Sequence, residues 1–317
     1  MMWYIIRRFA LAIPTLIGVA IITFFLLRVL PGDIVEIKLR GDGGDVSEAA
    51  LAAERARLGL DQPLLVQFWD WMTGLATFDL GTSLWTGERV AHEIAIRLPL
   101  SLEVAILSTI LAILIAFPLG TLAAVFRGTI IDYVVRIITI GGLAVPPFWL
   151  GMLMIVGLIT WFDWLPALGF VPLFTDPVKN LSQLIWPALS VGYRYSSVVA
   201  RMLRSTILEV LEEDYIRTAR AKGVTERMVV AKHAMRNALL PAITVLGLEF
   251  AFLIGGLVVT EQVFSLNGIG LLFVESVLHN DFTMIQGLVM VVATGFVLIN
   301  LLVDVLYALL DPRIRYE

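Results

Sequence analysis

The 317 residues contain no cysteine, which excludes disulfides, thiolate catalysis and cysteine-based metal sites in this chain. Histidine is nearly missing too: His92, His233 and His279 lie far apart, and no two stand at a metal-ligand spacing. Only four lysines occur, Lys38, Lys179, Lys222 and Lys232, and none follows a glycine. The Gly-rich loop ending in Gly-Lys-Ser/Thr that cradles nucleotide phosphates is therefore absent. No HExxH, GxSxG or paired catalytic carboxylate pattern stands in the sequence either. The chain carries neither its own ATP motor nor a recognisable catalytic apparatus. No ATP, magnesium or other cofactor site is expected in it, and no partnership with nucleic acid.

Charge is scarce as well. Only 16% of residues are Asp, Glu, Lys or Arg, against 59% hydrophobic, and the mean hydropathy is +0.89. A soluble domain carries about a quarter charged residues. So much apolar surface cannot be hidden from water in one core, and the chain reads as an all-α, polytopic protein with membrane lipid as a partner. Spans of about 20 apolar residues are expected, and helical ones, because backbone polar groups must be satisfied inside hydrocarbon.

Six such spans are predicted: Phe9 to Leu30, Leu100 to Phe126, Ile137 to Trp161, Leu184 to about Met202, Leu239 to about Val263, and Ile285 to Leu310. The first is too long, and its following Pro31-Gly32-Asp33 too poor a cleavage site, for a removable signal peptide. Pro146-Pro147 removes backbone donors inside the third and should break it. With the N-terminus inside, cytoplasmic pieces carry 14 Lys/Arg and outer loops 7. Six of those 7 lie in one long loop, where the positive-inside rule has little weight. Both termini are thus expected in the cytoplasm.

The organisation follows from this. Residues 1–99 hold the first span and a large extracytoplasmic segment. Residues 100–310 hold the other five spans and a cytoplasmic loop, 204–240, and residues 311–317 form a short tail. From Pro31 to Pro99 there are eleven acidic and six basic residues. GDGGD (Gly41 to Asp45) reads as a turn, Ser47 as the cap of a short helix, and Phe68, Trp69 and Trp71 as headgroup-level aromatics.

Four ionisable residues stand within spans: Glu103, Arg194, Glu249 and Asp304. Such residues are expensive in hydrocarbon and either pair or serve the pathway. Asp304 shares a helix face with Asn300 and Tyr307 and lies about 10 Å from the helix end, which suits structural glue. Glu249, alone in an apolar helix, is the better pathway candidate.

The polar stretch from Glu212 to Pro241 interrupts this apolar pattern. Between Arg201 and Asn237 eight basic residues face five acidic ones. It reads as a short helix, about Leu211 to Lys222, closed by Gly223, then a second from Thr225 through RMVVAKHAMRNALL into the fifth span. Thr218, Ala219 and Lys222 fall near one face of the first helix, where small residues admit a close neighbour.

The stretches DYIRTARAKG (Asp214 to Gly223) and HAMRNALLP (His233 to Pro241) carry a resemblance. With IIRRFALAIPTLIGVAIITFFLLRVLPGD, RLGLDQPLLVQF, DLGTSL, EQVFSLNGIG and NLLVDVLYALLDPRIR, in that order, the chain resembles the B-type permease subunit of the dipeptide/oligopeptide family of ATP-binding-cassette importers. The generic importer loop reads Glu-Ala-Ala, three residues, Gly, then Ile-x-Leu-Pro. Here Arg217-Thr218-Ala219 precedes Gly223, and Leu240-Pro241 comes five residues late, as in this family's own version. The resemblance implies the type I ABC importer permease fold and a pathway shared with a second, homologous permease subunit. It also implies two cytoplasmic ATPase subunits that bind ATP and magnesium, an extracytoplasmic substrate-binding protein, and a peptide cargo. Glu212, Asp214, Tyr215, Thr218, Ala219, Lys222, Gly223, His233 and Asn237 would belong to the ATPase-coupling loop, and Arg194, Glu249, Glu261 and Asp304 to the pathway or the subunit interface. Relatives carrying nickel, glutathione or other small solutes leave the cargo open. A freestanding ion-coupled carrier is the alternative class; internal repeats, which would favour it, are missing.

Overall fold

A computed structural model describes residues 2–29, 34–40, 47–165 and 169–310. The expected turn at Gly41 to Asp45 and the tail 311–317 lie outside these. Among the described residues the chain is helical, with no strand. In order come α1 (Met2–Val29), α2 (Ile34–Arg40), α3 (Glu48–Arg57), α4 (Leu64–Ala76), α5 (Val90–Val125), α6 (Ile130–Ala144), α7 (Pro147–Phe162) and α8 (Pro177–Leu211). Then follow α9 (Asp214–Ala221), α10 (Glu226–Met228), a π-helical segment (Val229–Ala234), α11 (Met235–Gly256), α12 (Val258–Val263), α13 (Ile269–Leu278) and α14 (Phe282–Leu310).

Four described helical stretches are long and apolar enough to cross a membrane: Arg7–Arg28, Val90–Val125, Glu226–Gly255 and Phe282–Leu306. A fifth is reached if α6 and α7 count as one span, bent by 101°. The bend sits at Pro146-Pro147 as expected, with Pro147 opening α7, the helical position where its missing N–H costs nothing. Six spans were expected from the sequence. The helix over the fourth of them, α8, has 35 residues but is too polar to join this set. Its composition has a physical reason. α8 packs against α6, α7 and α11 and buries Asn180, Gln183, Ser190, Ser196 and Ser197 in protein, where polar side chains find partners. The apolar windows of α1 and α14 are instead mostly not buried in the described structure.

Two expected boundaries move. The second span's helix starts ten residues earlier, at Val90. The fifth stops at Gly256, after Gly255-Gly256, and residues up to Val263 form the separate helix α12. Glycine pairs weaken a helix by their backbone freedom.

The described residues divide into two compact units, one within 102–266 and 298–310, the other within 2–101 and 267–297, so that α5 and α14 contribute to both. In the first, Ala116 and Ala124 of α5, Val199, Ala200, Leu203 and Ile207 of α8, and Ala238 and Ala242 of α11 form a core of mostly small side chains. Such residues let helix backbones approach closely in a membrane. A β-carbon at Gly120 would stand 2.7 Å from the Ala200 carbonyl oxygen, and one at Gly192 2.8 Å from that of Ser108. No side chain fits between α5 and α8 at these points.

The second unit has two apolar clusters. Leu27, Val35, Leu51, Leu84, Phe282 and Ile285 form one, and Val90, Ile94, Ile269, Leu272, Met284 and Leu288 the other. Buried Asp281 ties them together. Its carboxylate accepts from Ser83 Oγ (2.5 Å) and from the backbone N–H groups of Leu84 (3.1 Å), Trp85 (3.4 Å) and Met284 (3.1 Å). A carboxylate with that many donors is a satisfied structural hub.

Candidate functional site

The polar stretch after α8 folds as a knob with its own small core. α8 continues through Leu211, so the first loop helix begins at Asp214 and not at Leu211 as expected. Asp214, in the first turn of α9, complements the helix dipole. Its carboxylate pairs with Arg217 at 3.3 Å, and its carbonyl accepts from Thr218 Oγ1 at 3.0 Å. Gly223 closes the helix with φ +81°, the left-handed conformation expected there. The Gly223 N–H donates to the Arg220 carbonyl (2.9 Å) and the Val224 N–H to that of Ala219 (3.2 Å), the Schellman arrangement.

Thr225 takes the extended backbone of a cap residue but makes no capping bond with its side chain. From Glu226 a continuous helical rod leads through α10 and the π-helical segment into α11, as far as Gly255. The π turn was not foreseen; nothing in VVAKHA distinguishes it from an ordinary helix by pattern. Its wider turn is completed by the Met235 N–H donating to the Val230 carbonyl. Single π turns are frequent where helices serve function.

Three contacts hold α9 to this rod. Ile216, Val229 and Ala234 are fully buried where α9 packs on the π-helical segment. Arg220 grips Glu226 with two parallel bonds, Nε to Oε2 at 3.0 Å and Nη2 to Oε1 at 2.6 Å. Asn237 Nδ2 donates to the Tyr215 hydroxyl at 2.5 Å, bringing together two expected loop residues 22 positions apart. Glu212, Asp214, Tyr215, Thr218, Lys222, Gly223 and Asn237 are exposed, and His233 is half-buried. Glu212 also meets Arg127 across 3.4 Å of open surface. Ala219 departs from the expected face: it is 9% exposed and turned into the knob, because the residue three before it on the same side, Ile216, is the core anchor. The outward stripe is Tyr215, Thr218 and Lys222.

Beside the knob stands an ion pair that sequence reasoning missed. Asp132, in the first turn of α6, accepts from Arg204 Nε and Nη2, both at 2.8 Å, and from the Gly128 N–H at 3.0 Å. The Asp132 side chain is 3% exposed and that of Arg204 25%. An acid at the start of an apolar helix was the available signal, but the basic partner lies 72 residues away in sequence.

The pathway candidates separate. Arg194 is exposed on α8, 5.9 Å over the Tyr195 ring, and half-buried Glu249 on α11 lies within coulombic range of it. Glu261 is buried on α12, which packs on α7 and α8. Asp304, half-buried on α14 and engaged, follows Val303, which packs on Gly247 of α11. Glu103 accepts from Asn180 Nδ2 (2.5 Å) and the Leu173 N–H (3.3 Å), tying α5 to the start of α8. Its role in the fold is to pair.

Comparison with known proteins assigns the family. Residues 116–316 match the family described as binding-protein-dependent transport system inner membrane component, and residues 1–105 its N-terminal companion. A putative peptide transport system permease protein of Brucella abortus (strain 2308) is 42% identical over 313 residues, 99% of each chain. A glutathione transport system permease protein of Salmonella choleraesuis (strain SC-B67) is 42% identical over 317 residues, 100% of each chain. Among solved structures, the inward-facing MetNI methionine ABC transporter shares the fold, with a TM-score of 0.55 at 20% identity over 69% of this chain and 96% of that one. Proteins of this kind are multi-pass membrane subunits that act with ATPase and substrate-binding partners, and ATP is hydrolysed by the separate ATPase subunits. The chain belongs to the inner-membrane components of binding-protein-dependent transport systems, as an ABC importer permease of the peptide/oligopeptide family.

Proposed function

We propose that the chain is one of two homologous permease subunits of an ATP-driven importer for di- and oligopeptides in the cytoplasmic membrane of a prokaryote. It crosses the membrane six times, with α8 as the most protein-enclosed span and both termini in the cytoplasm. An extracytoplasmic binding protein delivers the cargo. Two ATPases, which bind ATP and magnesium, sit below. The observation that carries the reading is the knob: an exposed Tyr215–Thr218–Lys222 stripe on a helix clamped to a rod that enters the membrane without a break. Docked in an ATPase groove, α9 would pass ATPase closure to α11 as a push on a stiff lever. Arg194 is exposed on this chain and Glu249 only half-buried, and hydrocarbon is a costly neighbour for both. A second permease subunit or an aqueous pathway suits them.

The relatives' names support a peptide-bonded cargo. Peptide and glutathione permeases match at the same 42%, and glutathione is itself a tripeptide. The test is uptake of labelled peptides and glutathione by proteoliposomes holding the complete complex. Uptake that requires ATP and the binding protein is expected. Uptake by this chain alone on an ion gradient, without ATP, would overturn the reading.

A further inference from the structure

We infer that α4 with Phe78 is an interfacial anchor that lies in the lipid headgroup region at the C-terminal end of α1, its partner the bilayer itself. This goes beyond the transport reading and holds on whichever side of the membrane the segment lies. α4 has no buried residue, yet its sequence LLVQFWDWMTGLA is mostly apolar. Helical spacing sorts it into three stripes. Phe68, Trp71 and Leu75 form the half-buried stripe that packs inward. Phe68 lies 5.3 Å from the Phe24 ring and stacks on Phe25 at 5.5 Å, and Trp71 stacks on Phe24 at 5.8 Å. Exposed Asp70 and Thr73, beside half-buried Gln67 and with Val66 one turn before them, make a more polar stripe. Leu65, Trp69 and Ala76 make a third, apolar and outward, with Leu65 65% and Trp69 64% exposed and Met72 half-buried beside them.

The stripe's occupant follows from where it lies. Phe24 and Phe25 sit four to five residues, about 6–8 Å, before the end of α1. Phe25 is itself exposed, together with Ile21, Ile22 and Leu26, on the surface that this transmembrane helix turns to lipid. Stacked on Phe25, Phe68 carries that surface from α1 onto α4 at the membrane boundary. Trp69 is an amphipathic ring of the kind enriched there. Of the three aromatics expected at headgroup level, Trp69 alone is outward; Phe68 and Trp71 serve as the seat on α1.

Phe78 adds a second observation. It closes α4 in the left-handed conformation, φ +60°, with its own N–H on the Leu75 carbonyl (3.2 Å) and the Asp79 N–H on that of Gly74 (2.8 Å). Glycine normally takes this place; a bulky residue there is an outlier. Phe78 is 91% exposed, so no packing against the described residues explains it. Insertion among lipid chains does.

The cysteine-free chain allows a direct test. Single substitutions Trp69→Cys, Ala76→Cys, Phe78→Cys and, on the polar stripe, Thr73→Cys carry a nitroxide in the full-length protein, reconstituted in phosphatidylethanolamine–phosphatidylglycerol vesicles. Collisions with oxygen, which partitions into lipid, are compared with collisions with a water-soluble nickel chelate. Labels at 69, 76 and 78 are expected to be relaxed by oxygen and largely lost to the chelate, as for side chains about 5–10 Å into the boundary. The label at 73 should show the reverse. Equal access of the chelate to all four sites overturns the inference. So does shielding of 69, 76 and 78 from both relaxants, which would mean that protein covers them. Ala76, small and exposed, keeps the test alive if replacing Trp69 prevents folding.

Discussion

Two short helices, α9 and α4, end in the same backbone motif and are closed by opposite residues. In α9 the left-handed position is Gly223, which adopts it without steric cost; in α4 it is Phe78, for which that conformation costs about 1–2 kcal/mol. Their outward faces differ in the same sense. α9 shows Tyr215, Thr218 and Lys222, polar groups suited to a protein groove, and is held by the Arg220–Glu226 ion pair and the Asn237–Tyr215 hydrogen bond. α4 shows Leu65 and Trp69 and is held by stacked rings. A glycine suffices where only a turn is needed. A strained phenylalanine persists where the exposed side chain has somewhere to go.

The largest effect should come from exchanging the closures. Gly223→Phe is expected to lower ATP-dependent uptake by the complete complex more than tenfold, a loss of about 1.4 kcal/mol or more in coupling, while membrane fractionation shows normal insertion. Unchanged uptake would break the comparison. Asp132→Asn comes next. It strips the ion pair that fixes the start of α6 to α8, and breaking a buried pair costs about 3–5 kcal/mol. Arg204 is a quarter exposed, so a value near or below the lower bound is expected, read as a drop in the detergent melting temperature. Replacing Arg204 with Met in the same background should recover part of it.

Phe78→Gly acts on the other closure and sharpens the contrast. Removing the backbone strain should raise the melting temperature in detergent by the equivalent of about 1 kcal/mol. Quenching of tryptophan fluorescence by brominated lipid should fall, since Trp69 and Trp71 ride on α4, which is less firmly seated. The smallest effect is expected for Arg220→Lys. Both partners of Arg220–Glu226 are substantially exposed, so loss of the two-bond geometry should cost less than about 1 kcal/mol.

Most of the knob was legible in the sequence because glycine and threonine punctuate it: Gly223 closes α9 where expected, and the second helix enters the fifth span without a break. The break at Pro146-Pro147 was legible for the same reason, as proline acts on its own backbone. The contacts that clamp the knob were not. Tyr215–Asn237 and Arg204–Asp132 join positions distant in sequence, and no local pattern records which partner a polar side chain will find. Nor did periodicity foresee that Ala219 turns inward, because the Ile216 anchor that sets the helix's rotation is known only from the packing. α8 taught the converse. A helix that buries its polar residues against α6, α7 and α11 does not show the apolar run of α1, so the fourth span expected from the sequence is not matched by composition there.

Docking of α9 in an ATPase groove is tested most directly by cross-linking. The cysteine-free chain with Thr218→Cys or Lys222→Cys, assembled with ATPase subunits bearing single cysteines along their surface groove, is oxidised in membranes with and without ATP. Cross-links at both positions to one groove, with Thr73→Cys on α4 giving none, are the expected result. No cross-link from Thr218 or Lys222 to any ATPase position, in a complex that still transports, would contradict the coupling role of the knob.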